Sequence, residues 1–183
     1  MSKIILMRHG EVVLERRKKI TSREFPDWIK SYNGATVLPD PGKWGILNGT
    51  DAIVCSSLRR SVDSAGLAGQ KPLESNTLFD EAGLPYSPSS LFRLTPNCWA
   101  VIFRLLWLFG YSKNSESMNE AKKRARSAAF RLDEISQKHG TVLLVGHGVM
   151  NRLIGRSLVK QGWRNTKKLP NTHWGYGIFE KKE

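Results

Sequence analysis

The sequence predicts an α/β protein, a three-layer sandwich with a mostly parallel central sheet flanked by helices. Three observations carry this expectation. Short apolar runs recur at Lys3–Met7, Asp51–Cys55 and Thr141–Val145, each run stops abruptly at small or polar residues, and stretches of helical periodicity lie between them. At 183 residues the chain suits one domain, 1–183, and neither a repeat nor a linker divides it.

Lys3–Met7 reads as a buried strand that ends at Arg8-His9-Gly10. Thr21 and Glu24 have capping-box spacing, so a helix is expected from about Thr21, with Phe25, Trp28, Ile29 and Tyr32 as its core stripe and Asn33-Gly34 as a left-handed cap. Pro39–Gly49 is rich in turn residues and reads as loop. Asp51–Cys55 is a second buried strand, with Ser56-Ser57 as cap of a helix that buries Leu58, Val62 and Ala65. Ser75–Phe79 is a weaker strand, ending in Asp80-Glu81.

A Pro/Ser-rich loop then leads to Cys98–Phe109, apolar nearly all round except for Arg104. A membrane span needs about 20 such residues, so this segment reads as a buried helix or the underside of a lid, within an insert at about 85–111. A helix over Ser117–Lys138 places Ala121, Ala125, Ala128, Leu132 and Ile135 on one face and the Lys122–Arg126 basic block on the other. Thr141–Val145 is the clearest strand. It runs into Gly146-His147-Gly148 and opens a helix with Met150, Leu153, Ile154, Ser157 and Leu158 inward; a last strand is expected over Trp174–Glu180.

The net charge of +13 attracts anions, phosphorylated small molecules and nucleic acids alike. The basic blocks, Arg16 to Lys19, Lys122 to Arg124 and Arg164 to Lys168, are not interleaved with aromatics as a base-stacking platform requires. A solvated basic surface is therefore preferred, and nucleic acid is disfavoured as partner. Cys55 and Cys98 lack paired-ligand spacing and read as buried packing residues in a reducing compartment. The apolar run of four residues, Ile4 to Met7, is too short for a secretory signal, so a cytoplasmic protein with no membrane partner is expected.

Ligands of open α/β sheets bind beyond the carboxyl ends of the strands. The residues that follow the expected strands are Arg8 and His9, then Ser56, Ser57, Arg59 and Arg60, then Glu81, then His147. Two histidines, arginines and a carboxylate on one rim suit phosphoryl transfer. A neutral imidazole can attack phosphorus, arginines grip the phosphate oxygens, helix N-termini add donors, and a carboxyl group serves the leaving oxygen and then water. A metal site is the competing use of such residues, but the arginines beside His9 repel a cation and no H-x-x-x-H spacing occurs. No metal and no cofactor are expected. Glu81 also reads as a helix N-terminal acid, Arg59 as a solvated residue and His139 as a helix C-terminal cap; His173 fits the surface and the pocket rim equally.

Leu6-Met7-Arg8-His9-Gly10-Glu11, Cys55-Ser56-Ser57-Leu58-Arg59-Arg60-Ser61 and Val145-Gly146-His147-Gly148 resemble, in order, the three motif blocks of the histidine phosphatase superfamily, also called phosphoglycerate mutase-like. The resemblance implies that fold, a phosphoric monoester hydrolase activity, and His9 as the nucleophile that becomes phosphohistidine. It implies a phosphate pocket of Arg8, Arg60, His147 and Gly148, with Glu81 as proton donor and Asp80 as its fallback. Val12 to Arg17 departs from the Ser/Thr- and Asn-rich stretch of the mutases, and Leu169-Pro170-Asn171-Thr172 resembles a turn that lies near the pocket in some members. The expected partner is a small phosphorylated substrate or inorganic phosphate. The alternatives are mutase-type phosphoryl transfer and a non-catalytic descendant that binds phosphate or nucleic acid.

Overall fold

A computed structural model describes residues 2–14, 19–69, 71–88 and 92–181. The elements are β1 (Lys3–Arg8), α1 (Phe25–Gly34), β2 (Ala52–Ser56), α2 (Arg59–Leu67), β3 (Glu74–Asn76), α3 (Pro96–Leu108), α4 (Met118–His139), β4 (Thr141–Gly146), α5 (Gly148–Lys160), β5 (Trp163–Lys167) and β6 (Tyr176–Lys181). The strands form one six-stranded sheet in the order β3-β2-β4-β1-β6-β5. β1 to β4 run parallel to one another, β6 is antiparallel to β1, and β5 is antiparallel to β6.

The apolar runs become strands because both faces of the sheet are covered. Ile4, Leu6, Val54, Val142 and Leu144 join the core under α4 and α5. Their neighbours Ile5, Met7, Ile53, Cys55, Leu143 and Val145 pack on the other side with Ala65 of α2 and with Trp174. A third cluster, built on Phe25, Trp28, Trp99 and Phe103, joins α1 to α3. On α4 the fully buried Ala121, Ala125, Ala128 and Ala129 leave room for close approach to its neighbours. Its start is fixed by a complete capping box between Ser117 and Glu120.

Several local expectations are corrected. α1 begins at Phe25, where Pro26 presets the first turn; the Glu24 carboxylate instead accepts the Thr21 N–H and hydroxyl in a turn before the helix. Gly34 stays helical, and the chain leaves through an extended Ala35 rather than a left-handed residue. Ser56 and Ser57 do not cap α2, whose N-cap is Leu58. The buried face of α2 is Arg60, Ser61, Ser64 and Ala65, and Val62 is exposed. Residues Pro41–Leu47 of the expected loop form a 3₁₀ helix.

The expected strand over Ser75–Phe79 ends at Asn76, whose side chain accepts the Leu78 N–H and winds Thr77–Phe79 into a 3₁₀ turn. β5 was not expected, since only Trp163 of it is buried. The last strand starts at Tyr176, because Trp174 adopts a left-handed φ of 57°. Ser157 is only half-buried. Cys55 is buried, but Cys98 is exposed; both are free thiols. Of the basic block Arg16 to Lys19, residues 16–18 lie outside the described residues. No described helix is long and apolar enough to cross a membrane.

The Ser117 cap yields a direct test. Ser117→Ala removes the acceptor for the Glu120 N–H and should cost about 1 kcal/mol, read as a lower denaturation midpoint with an unchanged m-value.

Candidate active site

The site is assembled where β1 and β4 end side by side. The His9 N–H donates to Gly146 O at 3.0 Å, so the residues that follow the two strands leave the sheet together. The rings of His9 and His147 lie 5.1 Å apart between centroids. Two glycines make this approach feasible. A Cβ on Gly10 would come within 2.6 Å of the Trp174 ring, and one on Gly146 would collide with the Asn151 side-chain oxygen. Gly148 has no such constraint, since a Cβ there meets Arg8 only at ordinary contact distance.

His9 is 3 % exposed, and its ring is oriented from both sides. Nδ1 lies 2.7 Å from the Gly10 carbonyl. A carbonyl only accepts, so the ring hydrogen sits on Nδ1 and Nε2 presents a lone pair. The Arg60 Nε–H donates to that Nε2 at 3.2 Å. Burial, then the Arg60 charge, lowers the His9 pKa from 6.5 to about 3, with the Gly10 bond opposing. The imidazole is therefore neutral at ordinary pH.

Arg60 is positioned by the end of α1 and by Ser64 of its own helix. Its Nη1 donates to Asn33 Oδ1 at 2.6 Å, and its guanidinium lies over the Tyr32 ring at 5.2 Å. Ser64 Oγ donates to Arg60 O at 2.6 Å and accepts the Gly10 N–H at 2.9 Å, joining α2 to the loop after β1. Arg59 points away, donating to Asp63 and to Gly34 O.

His147 is fully buried, with Nε2 2.6 Å from Ser56 Oγ and 3.3 Å from Ser61 Oγ. Ser56 Oγ also accepts the Leu58 N–H at 3.3 Å, so the two hydroxyls and the His147 Nε2 form one buried cluster. His147 Nδ1 and Arg8 Nε are both buried without a hydrogen-bond partner among the described residues. Arg8 is anchored through Nη1 to Asn171 O at 3.1 Å, so the Leu169–Thr172 turn does reach the site. Burial and the nearby arginines keep His147 well below its ordinary pKa.

The two acids stand at the same rim. Asp80 is engaged by Ser57, accepting its N–H at 2.8 Å and its hydroxyl at 2.7 Å. Glu81 accepts the N–H groups of Val149 and Met150 at 3.2 and 3.0 Å, at the N-terminus of α5, and that of Ala82 at 3.0 Å. It is thus a helix-terminal acid and a rim acid at once. Two further arginines hold its loop. Arg124 donates to Asp80 O at 2.7 Å and Arg104 to Ala82 O at 2.8 Å. Arg124 is accordingly half-buried rather than part of a solvated face.

His173 belongs to the rim, its ring 5.6 Å from that of His9 and its pKa lowered by burial and by Arg8. The left-handed Trp174 makes the corner that delivers it. Two signals in the sequence mark the residues not assigned to the site there: Ser61 and Ser64 lie with Arg60 in a polar stripe at helical spacing, and Asn33 follows the aromatic stripe of α1. Among the described residues no group of three metal-ligating side chains is gathered. A groove of about 910 Å³ along α4, α5 and the β5–β6 edge is lined by none of Arg8, His9, Arg60, Glu81, His147 and His173.

The fold and rim define an α/β protein with two buried histidines and the arginines Arg8 and Arg60 gathered beyond the carboxyl ends of β1 and β4. The sequence profile of the histidine phosphatase superfamily (branch 1) matches residues 47–181, and the chain belongs to that superfamily. Among curated protein sequences there is no significant match. In structure the chain is similar to an open-reading-frame product of Mycobacterium tuberculosis, with 24 % identity, TM-score 0.60, and coverage of 97 % of this chain and 90 % of that one. It is similar also to mycobacterial glucosyl-3-phosphoglycerate phosphatase in complex with vanadate (18 % identity, TM-score 0.60, 97 % and 92 % covered). A third is a phosphoserine phosphatase mutant from Entamoeba histolytica bound to phosphoserine (18 % identity, TM-score 0.58, 97 % and 90 % covered). At these identities the likeness concerns the fold.

The neutral histidines have a consequence for stability. Below pH 6.5 an unfolded chain protonates a histidine that the folded chain keeps neutral down to about 3, so the unfolded state binds more protons across that window. Stability should therefore rise with pH through this range and fall on acidification. Denaturation midpoints measured from about pH 6.5 to 4 should drop more steeply in the native chain than in His9→Asn, which has no titratable ring. Parallel slopes would refute the assignment.

Proposed function

We propose that the chain is a phosphomonoester hydrolase that works through a phosphohistidine at His9 and needs no metal. The observation that carries this reading is the His9 imidazole, neutral, hydrogen-bonded through Nδ1 and bare at Nε2 except for a donated Arg60 N–H. Arg8 Nε, and His147 Nδ1 in the tautomer that carries the ring hydrogen there, are buried without hydrogen-bond partners among the described residues and would supply donors for the oxygens of a bound phosphate. A phosphate oxygen then replaces Nε2 as the acceptor of the Arg60 N–H, leaving the lone pair for phosphorus.

In the first half, Nε2 forms the N–P bond while the P–O bond to the leaving group breaks, and the leaving oxygen takes a proton delivered through the Glu81 carboxyl. In the second, water attacks phosphorus, its proton passes to the Glu81 carboxylate, and the N–P bond breaks to return His9 and inorganic phosphate. Asp80 is the fallback for this role; its oxygens accept the Ser57 N–H and hydroxyl, as those of Glu81 accept the amides of Ala82, Val149 and Met150. The α5 N-terminus that begins at Gly148 adds a favourable dipole. The phosphatase neighbours, named for glucosyl-3-phosphoglycerate and phosphoserine, support a small phosphorylated substrate. The segment 85–111 is the natural place for substrate discrimination in a single domain spanning 1–183.

The test is hydrolysis of an aryl phosphate with a chelator present. The native chain should turn over, and His9→Ala should lose at least about 10³-fold in kcat while keeping its thermal transition. Native-like turnover by His9→Ala would overturn the proposal. Arg60→Ala should lower kcat by about 10²–10³-fold. Glu81→Gln should lower it by about 10²–10⁴-fold, with the loss smallest for leaving groups that need no proton.

A further inference from the structure

Helix α3 is apolar on two sides, and only one is covered by the described residues. Its inner side is fixed: Trp99, Phe103 and Trp107 are buried, Trp99 Nε1 donates to Ile20 O at 2.8 Å, and the Phe103 ring lies 5.0 Å from that of Phe25. The helix therefore cannot roll to hide its other side. There Val101, Leu105, Leu108 and Phe109 are 50 to 88 % exposed, and Leu106 beside them is exposed as well. The one charge on the helix, Arg104, turns inward to Ala82 O. By contrast, the outer side of α4 carries Lys122, Lys123 and Arg126, as the outer side of a water-facing helix does. An apolar cavity of about 360 Å³, lined chiefly by Phe92, Leu94, Trp99, Ile102, Phe103 and Leu106, opens beside this surface.

Exposed cations lie at the two ends of α3. Arg93, just before the helix, lies against Lys19 O with its guanidinium 4.0 Å from the Glu24 carboxylate, Lys19 and Arg23 are exposed on the segment whose Ile20 pairs with Leu94, and Lys113 follows Phe109. The charge of the whole chain, +13, selects among possible covers. A second copy would bring two strongly positive molecules together and pay their repulsion, whereas an anionic surface is attracted over the same distance. The outward side chains of α3 from Val101 to Leu108 offer no hydrogen-bonding group, which suits hydrocarbon. At 13 residues the helix is about 20 Å long, too short to span a bilayer but suited to lying in its interface.

We propose that the outer face of α3 docks the protein onto an anionic lipid bilayer, with Val101, Leu105, Leu108 and Phe109 entering the interface and the flanking cations meeting the headgroups. The cavity gives an acyl chain a place beside the helix. Through Arg104 the docked helix is joined to the Glu81 loop. The docking does not depend on His9 being a nucleophile.

Flotation with vesicles of phosphatidylcholine, alone or with about 30 % phosphatidylglycerol, tests this. The native chain and His9→Ala should both float with the anionic vesicles and much less with the neutral ones, and added salt should weaken binding. Leu105→Glu combined with Phe109→Glu should lower binding more than about ten-fold with an unchanged thermal melt. Absence of binding to anionic vesicles at low salt would overturn the proposal. So would equal binding by the double variant, which would place the attraction elsewhere on the basic surface. A concentration-dependent dimer that the double variant abolishes would assign the face to a second copy instead.

Discussion

A guanidinium withdrawn from water is the constraint around which the site is organised. Arg60 is 4 % exposed, and its hydrogen-bond acceptors are the His9 ring and the Asn33 amide, with the Tyr32 ring beneath it. All three are neutral, so its charge is hydrogen-bonded but not cancelled; Glu81 and Asp80 ease it only through space. A buried cation held in this way excludes positive charge from its surroundings. Burial, together with this charge, holds His9 and His147 below the ordinary histidine range, which keeps both imidazoles available as lone-pair or N–H groups. The same field is what an entering dianion would neutralise.

Placing that arginine requires the joint between β1, β4 and α5. Asn151 Nδ2 donates to Met7 O at 2.9 Å, tying the first turn of α5 to the strand that carries His9. Gly146 leaves the room that Asn151 occupies, and Gly10 leaves the room that Trp174 occupies. Trp174 in turn donates its N–H to Arg8 O. The glycines flanking the histidines thus serve neighbouring side chains, with Ser64 clamping the Gly10 amide from the opposite side. Packing on both faces of the sheet and positioning of the pocket are one problem here, because Met7 and Trp174 belong to the core cluster behind the rim.

What was legible in the sequence follows from this arrangement. Continuous apolar runs such as Thr141–Val145 mark strands buried on both faces, and polar residues immediately beyond them have no place but the rim. Arg8, His9 and His147 could be read in that way, and so could the alanine face of α4. β5 could not, because an edge strand reading Trp-Arg-Asn-Thr-Lys carries no periodic apolar signal and exists through pairing with β6. The face of α2 was misjudged for a related reason. Apolar spacing pointed to Val62, whereas the helix turns Arg60, Ser61 and Ser64 inward because partners wait there: His9, His147 and the Gly10 amide. A buried polar face is invisible to hydrophobic periodicity until its acceptors are known. The same holds for Arg124, which lies in a basic block yet satisfies the carbonyls of residues 77, 78 and 80.

The acid loop shows how these pieces act together. Glu81 hangs on the first amides of α5, the helix whose N-cap is His147. A displacement of α5 would therefore carry acid and histidine in the same direction and preserve their relation. From the other side Arg124, held by Glu116, grips the loop from α4, while Arg104 grips it from α3. α4 and α5 belong to the main core, but α3 packs in the separate aromatic cluster with α1. α1 also supplies Tyr32 and Asn33 beneath Arg60. Both sides of the rim, the arginine and the acid, are consequently connected to the α1–α3 cluster, and a change in how that cluster sits is felt at the site through two independent arginines.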